Sequence, residues 1–167
     1  HGLELVGPKM PGFVRQAGEL APNRQVLVYC WRGGMRSGSM AWLLQTAGFQ
    51  THTLVGGYKA FRHSVLNELP VPPVLLVLGG FTGSRKTEIL HQLHERGSAI
   101  LDLELLANHR GSAFGGTGTP QPTNEHFENR IFSSLFYLKN EPVVWVEDES
   151  NPVGRVHIQK ILFERMR

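Results

Sequence analysis

Twice in this chain a short apolar, β-rich run ends in a glycine loop that opens directly into a helical pattern. The first is "QVLVYCWRGGMRSGSMAWLL" (residues 25–44) and the second is "VLLVLGGFTGSRKTEIL" (residues 74–90). A strand that turns straight into a helix crosses back before the chain can pair again, so each stretch predicts a parallel α/β unit. In the first, "QVLVYC" (25–30) reads as a buried strand closing at the cysteine. Met40, Leu43, Leu44 and Ala47 recur at helical spacing, which predicts an amphipathic helix over Ser37–Ala47 ended by Gly48. "THTLVGG" (51–57) follows as a strand with a glycine turn.

The stretch "NELPVPP" (67–73) carries three prolines and cannot continue regular structure. It therefore separates a unit over residues 1–70 from one over 74–167. In the second unit "VLLVLGG" reads as a buried strand, "KTEILHQLHER" as a helix and "AILDLE" as a strand. Residues 108–122, "NHRGSAFGGTGTPQP", read as a loop. Phe127, Ile131, Leu135 and Leu138 then mark a helix before the strand "VVWVEDE". The expected fold class is α/β with parallel sheets.

With 41% apolar and 19% charged residues in 167, the chain is of globular composition. Its net charge of +3 selects no partner by itself. No run approaches the roughly 20 apolar residues of a membrane helix, and no secretory leader is visible at "HGLELVGPKM". The single cysteine excludes an intramolecular disulfide and a cysteine zinc site, so a reducing, cytoplasmic location and no membrane partner are expected. The chain begins with His1 and ends at Arg167 within a helical pattern, so a fragment of a longer protein is expected.

That cysteine, Cys30, sits where an apolar run stops and a helix begins. Unpaired N–H groups and the positive helix end favour thiolate over thiol there, and Arg32 and Arg36 add two cations. Gly33 and Gly34 let the loop curl so that several N–H groups face one anion. A buried cysteine packing as a small hydrophobe would need neither the arginines nor the glycines. Trp31, beside it, is placed either to stack on a base or to pack the loop. "YCWRGGMRSGSMAWLLQTAGF" followed by "LVGGYKAF" resembles the second half of a rhodanese domain, a family whose cysteine takes up sulfur as a persulfide. No counterpart of the first half precedes residue 25.

"GGFTGSRKTEIL" (79–90) is a phosphate-loop pattern in the right context, after a strand and opening a helix. Gly80, Gly83, Lys86 and Thr87 occupy phosphate-binding positions. Arg85 stands where the pattern has glycine, and it either crowds the loop or adds a cation. "PVVWVEDES" ends a strand in Glu147, Asp148 and Glu149, where an acid would hold Mg²⁺ through water. Such a loop does not imply ATP hydrolysis, because it could hold the diphosphate of another substrate. His91 and His94 read as a solvated helix face, Phe132 and Phe136 as core, and His109 and Arg110 as part of a loop that either contacts phosphate or merely connects.

The pairing of the two loops is more specific than either. Together with "LDLELLANHRGSAFGG", "QPTNEHFENRIF" and "VVWVEDESNPVGRVHI", they resemble the tRNA 2-selenouridine synthase family across nearly the whole chain. The resemblance implies the C-terminal half of a rhodanese-like domain followed by a P-loop NTPase-like domain. It implies an enzyme that converts wobble 2-thiouridine in tRNA to 2-selenouridine. Geranyl diphosphate would first alkylate the sulfur, and selenium from selenophosphate would then displace it. Cys30, Arg32 and Arg36 would serve selenium transfer, and the phosphate loop would hold the diphosphate. No tightly bound cofactor or structural metal is expected, with Mg²⁺ at the strand-end acids left open. The other readings are a stand-alone persulfide sulfurtransferase and a P-loop nucleotide-binding module.

Overall fold

The computed structural model describes residues 2–81, 83–110 and 118–167. They form two compact units, His1–His63 and Ser64–Arg167. Residues 111–117 of the loop expected over 108–122 therefore lie outside the described residues.

The first unit opens with helix α1 (Gly2–Val6), a 3₁₀ turn (Gly7–Lys9) and helix α2 (Met10–Leu20). Met10, Phe13, Val14 and Ala17 form a half-buried stripe on α2 at helical spacing. Strand β1 (Gln25–Val28), helix α3 (Met35–Thr46), strand β2 (Gln50–Thr53) and helix α4 (Gly57–Asn67) follow. β1 and β2 pair in parallel, Gln25 opposite Gln50 through Val28 opposite Thr53. The order is the expected strand, cysteine loop, helix and strand. β1 differs in two respects: it ends at Val28 and it is not buried, with Leu27 59% exposed. A two-stranded sheet leaves each strand an open edge, and among the described residues the buried apolar side chains here are Ala41, Leu44 and Phe49. Arg24, in a left-handed backbone conformation (φ 57°), closes this core by lying over the Phe49 ring and donating to Ala47 O at 2.9 Å.

The second unit contains β3 (Val74–Leu78), α5 (Lys86–Glu95), β4 (Ile100–Leu101), α6 (Leu103–Ala107), α7 (Asn124–Leu138), β5 (Val143–Glu147) and α8 (Lys160–Arg165). Its sheet is parallel with the order β3-β5-β4, so the last strand in sequence lies in the middle. That inversion brings the end of β5 beside the loop that follows β3, at the carboxyl ends of the strands where open α/β sheets bind ligands. Phe127, Ile131 and Leu135 of α7 are fully buried against Val144 and Val146 of β5 and Leu162 of α8. Three amides tie the chain's return over residues 151–159 to this core. Gln121 accepts from Arg155 N, Asn124 accepts from His157 N, and Asn151 both donates to and accepts from Ile158.

Three expectations are corrected here. β3 is a half-exposed edge strand rather than a buried one, because among the described residues only β5 pairs with it. "AILDLE" is strand for only two residues. Asp102 then caps α6, its Oδ1 accepting from Leu105 N at 2.7 Å, since a carboxylate at that position satisfies an otherwise unpaired helix N–H. Phe136 is 49% exposed, with Lys139 Nζ 4.0 Å from its ring centroid, because the buried stripe of α7 runs through Phe127, Ile131 and Leu135 instead.

Candidate active site: a thiolate loop and a phosphate loop

In the first unit, Cys30 lies between the end of β1 and the N-terminus of α3. Its Sγ receives Gly34 N at 3.4 Å and lies 3.3 Å from Ser37 Oγ. These donors hold the thiol down at about 6, the Ser37 hydroxyl first, then the backbone N–H groups of Gly34, Ser37 and Arg32. The Ser37 hydroxyl also reaches Gly34 O at 3.0 Å, and its single proton can serve only one acceptor at a time. Ionisation of Cys30 therefore draws that proton from the carbonyl to the sulfur. The side chains of Arg32 and Arg36 are exposed at the same loop, and the hydroxyl and amide donors are what lower the thiol.

The loop is locked by two glycines in the left-handed region, Gly33 (φ 64°) and Gly57 (φ 66°). A Cβ on Gly33 would meet Gly57 N at 2.6 Å, and one on Gly57 would strike Cys30 O and Gly33 N. The first turn of α4 completes the lock, Tyr58 N donating to Cys30 O and Lys59 N to Trp31 O, each at 2.9 Å. Gly57→Ala combines backbone strain with a clash against backbone, so it is expected to cost roughly 2–5 kcal/mol. A urea midpoint unchanged by this substitution would show that the two glycines do not interlock.

In the second unit, Gly80 (φ 152°), Gly83 (φ 83°) and Arg85 (φ 61°) shape the phosphate loop, with Thr82 outside the described residues. The left-handed backbone at residue 85 explains why glycine suits the pattern there. The Arg85 side chain turns outward, 77% exposed and 3.5 Å from Glu88. Lys86 Nζ arches back over the loop to Gly80 O at 3.0 Å. Thr87 Oγ1, on the first turn of α5, lies 3.0 Å from Glu104 Oε2 and 2.9 Å from Glu147 Oε2.

Glu104, Glu147 and Glu149 present carboxylate oxygens all within 4.8 Å of one another. Burial raises Glu147 to about 7, opposed by the Thr87 hydrogen bond. Burial likewise raises Glu149 to about 7, helped by Glu104 and opposed by Lys86. One hydroxyl proton cannot satisfy two carboxylates, and among the described residues Glu147 Oε1 is buried without a partner. A hydroxyl, three converging carboxylates and an orphaned buried oxygen fit a hard divalent cation such as Mg²⁺.

Of the strand-end acids singled out from the sequence, Glu147 and Glu149 belong to this cluster while Asp148 pairs with Arg167 at 2.9 Å. Strand alternation puts residues 147 and 149 on one face and 148 on the other, a signal already present in the sequence. Glu104 carries no such signal, because only the tertiary fold brings α6 to α5. His91 is not simply solvated: its Nε2 lies 2.6 Å from Asp102, whose carboxylate raises the ring's pKa.

A cavity of about 590 Å³ spans Gly80, Lys86, Thr87, Arg110, Glu147 and Glu149. A second, of about 600 Å³, adjoins it through Arg85, Thr87 and Glu104 and extends to His91, Leu105 and His109.

Residues 73–167 match the family described as the tRNA 2-selenouridine synthase AAA domain. The chain belongs to the tRNA 2-selenouridine synthase family. A tRNA 2-selenouridine synthase of Nitrosomonas eutropha is 41% identical over 162 residues, covering 93% of this chain and 40% of the relative. Those of Hydrogenovibrio crunogenus (41% over 150 residues) and Bdellovibrio bacteriovorus (40% over 153) cover 84% and 86% of this chain and 40% and 39% of themselves. The chain thus spans about 40% of the length of these synthases, and the match extends through the cysteine unit as well as the phosphate unit. No solved structure matches the chain. Among the described residues, no helix is long and apolar enough to cross a membrane.

Proposed function

We propose that this chain carries both reactive loops of a tRNA 2-selenouridine synthase, which replaces the sulfur of wobble 2-thiouridine by selenium through an S-geranylated intermediate. The observation that supports this reading best is the presence in one chain of a cysteine held at about 6 and a phosphate loop facing three carboxylates. Neither a sulfurtransferase nor a nucleotide-binding module needs both.

The two chemistries divide between the units. The backbone of the loop from Gly80, with Lys86 above it, holds the diphosphate of geranyl diphosphate. Thr87, Glu104, Glu147 and Glu149 would hold Mg²⁺, which when bound offsets the charge that builds on the departing diphosphate. The adjoining cavity, with Leu105 in its wall, receives the hydrocarbon. In this step the thiouridine sulfur bonds to the geranyl carbon, the carbon–oxygen bond breaks, diphosphate leaves and the base loses its N–H proton. Alkylation makes the sulfur a good leaving group. In the second step the selenium of selenophosphate, whose anion Arg32 and Arg36 are exposed at the Cys30 loop to receive, bonds to the base carbon as the carbon–sulfur bond breaks and geranylthiol leaves. The Cys30 thiolate then takes the phosphoryl group, breaking the phosphorus–selenium bond to leave 2-selenouridine, and water releases the phosphate from sulfur.

The test is to incubate the chain with tRNA containing 2-thiouridine, geranyl diphosphate, selenophosphate and Mg²⁺, and to weigh the nucleosides after digestion. Selenated uridine is expected from the unaltered chain. Cys30→Ser should geranylate the thiouridine without yielding 2-selenouridine, and Lys86→Ala should leave thiouridine unchanged. Equal loss of both steps in Cys30→Ser would refute the division of labour. Sulfur transfer to cyanide without RNA would favour the plain sulfurtransferase.

A further inference from the structure

One face of the first unit has features that thiolate chemistry alone does not require. Residues 20–67 contain Arg24, Arg32, Arg36, Lys59 and Arg62 but no Asp or Glu. At the whole-chain frequency of 14 acids in 167 residues, a stretch of this length would hold about four. The acids are excluded where the cations are kept.

The same stretch builds a cluster of aromatic rings around the reactive cysteine. Tyr58 is its centre: Tyr29 stacks on it at 6.2 Å between ring centroids, Trp31 lies at 5.8 Å and Phe61 at 5.9 Å. Tyr29 and Trp31 flank Cys30 in sequence and are 56% and 52% exposed. Tyr58 is anchored by its backbone N–H to Cys30 O, so the rings and the sulfur belong to one rigid loop system. The side chains of Arg32, Arg36 and Lys59 are exposed in the same segments.

Three kinds of partner could meet such a surface, and the features separate them. A small anionic donor accounts for the cations but gives no reason to expose large rings. An apolar protein partner accounts for the rings but not for the exclusion of acids. Unpaired nucleotides account for both, because bases stack on exposed aromatic faces while phosphates take the cations and repel carboxylates.

We propose that this face docks single-stranded RNA, its unpaired bases stacked on Trp31, Tyr29 and Tyr58 beside Cys30 and its phosphates held by Arg32, Arg36 and Lys59. The proposal deepens the tRNA reading above, on which it rests for the choice of RNA. It names where an unpaired loop sits when its base meets the Cys30 thiolate.

The experiment is a fluorescence-anisotropy titration of the chain with a labelled, unmodified, uridine-rich RNA oligonucleotide, with no donor present. The same titration uses a duplex of equal length and a polyglutamate chain of equal charge. The single strand is expected to bind more tightly than either. Trp31→Ala and Tyr58→Ala should each weaken it about tenfold or more, the loss of one stacked base. Trp31→Phe keeps a ring and should retain most of the affinity, which separates stacking from misfolding. Trp42→Ala, an exposed tryptophan outside the ring cluster, should change nothing. Arg36→Gln and Lys59→Gln should each lower the salt slope by about 0.7, the value of one phosphate contact on a single strand.

No binding of the single strand at low salt would overturn the proposal. So would equal binding of polyglutamate, or full affinity in Trp31→Ala. The chemistry is tested separately. RNA that binds in this way but is never geranylated or selenated refutes the proposed reaction and leaves the docking face standing, whereas conversion with full affinity in Trp31→Ala does the reverse.

Discussion

Carbamidomethylation of Cys30 by iodoacetamide is expected to reach half its limiting rate near pH 6, well below an ordinary thiol. The midpoint is the informative quantity, because a thiolate of low pKa is also a weaker nucleophile and its absolute rate rises less than its ionised fraction. Ser37→Ala should raise the midpoint more than any other single side-chain change, since its hydroxyl is the largest cause of the lowering. Arg32→Gln and Arg36→Gln should move it little, because backbone amides make the remaining hydrogen bonds to sulfur. The chain has one cysteine, so the modified mass reports this site without separation from others. A midpoint in the unaltered chain above about 8, the ordinary thiol range, would show that the loop does not prepare a thiolate. A large upward shift in Arg36→Gln would return the effect to the guanidinium charges.

The second large effect concerns the carboxylates at the phosphate loop. Burial raises Glu147 and Glu149 from 4.5 to about 7, so the folded chain holds their protons more tightly than the unfolded chain does. The stability associated with them is fully present below about 4.5 and is lost as pH rises through about 7. Without divalent cation, the melting temperature should therefore fall between about pH 4.5 and pH 7. Mg²⁺ should reverse this fall, because at the higher pH the carboxylates are charged and crowded around Thr87. At a concentration about a hundredfold above its dissociation constant, a ligand of the folded state adds roughly 2.7 kcal/mol, a rise on the order of 10 °C for a unit of this size. Glu147→Gln should remove most of that rise while increasing the melting temperature at high pH without Mg²⁺, since it deletes a buried charge. Melts that ignore Mg²⁺ at high pH, or a full Mg²⁺ response in Glu147→Gln, would remove the cation from this cluster.

Much of the fold was legible in the chain because its signals are local. Periodic apolar residues marked α3, α5 and α7 to within a few positions, and the glycine loops marked where strands turn into helices. The failures have a common cause. Leu27 and the residues of β3 are apolar, which the sequence reading took as burial, but whether a strand is covered depends on its neighbours in the sheet. β1 has a single partner strand, and β3 lies at an edge. Asp102 misled because a short strand running into a capped helix has the same residue pattern as a longer strand.

By itself the sequence determined that two strand–loop–helix elements exist, that one carries the only cysteine, and that the other carries the phosphate pattern. Backbone constraint and residue chemistry within a dozen positions suffice for that. Only the tertiary structure decided which groups face one another. Placing β5 between β3 and β4 brings Glu147 and Glu149 to Thr87, and the short α6 brings Glu104 to the same point from a segment no spacing rule connects. It also decided that the Ser37 hydroxyl stands beside the Cys30 sulfur, joining the amide N–H groups that the sequence already placed there. Electrostatics at a site falls steeply with distance and depends on burial, and both are properties of the packed chain.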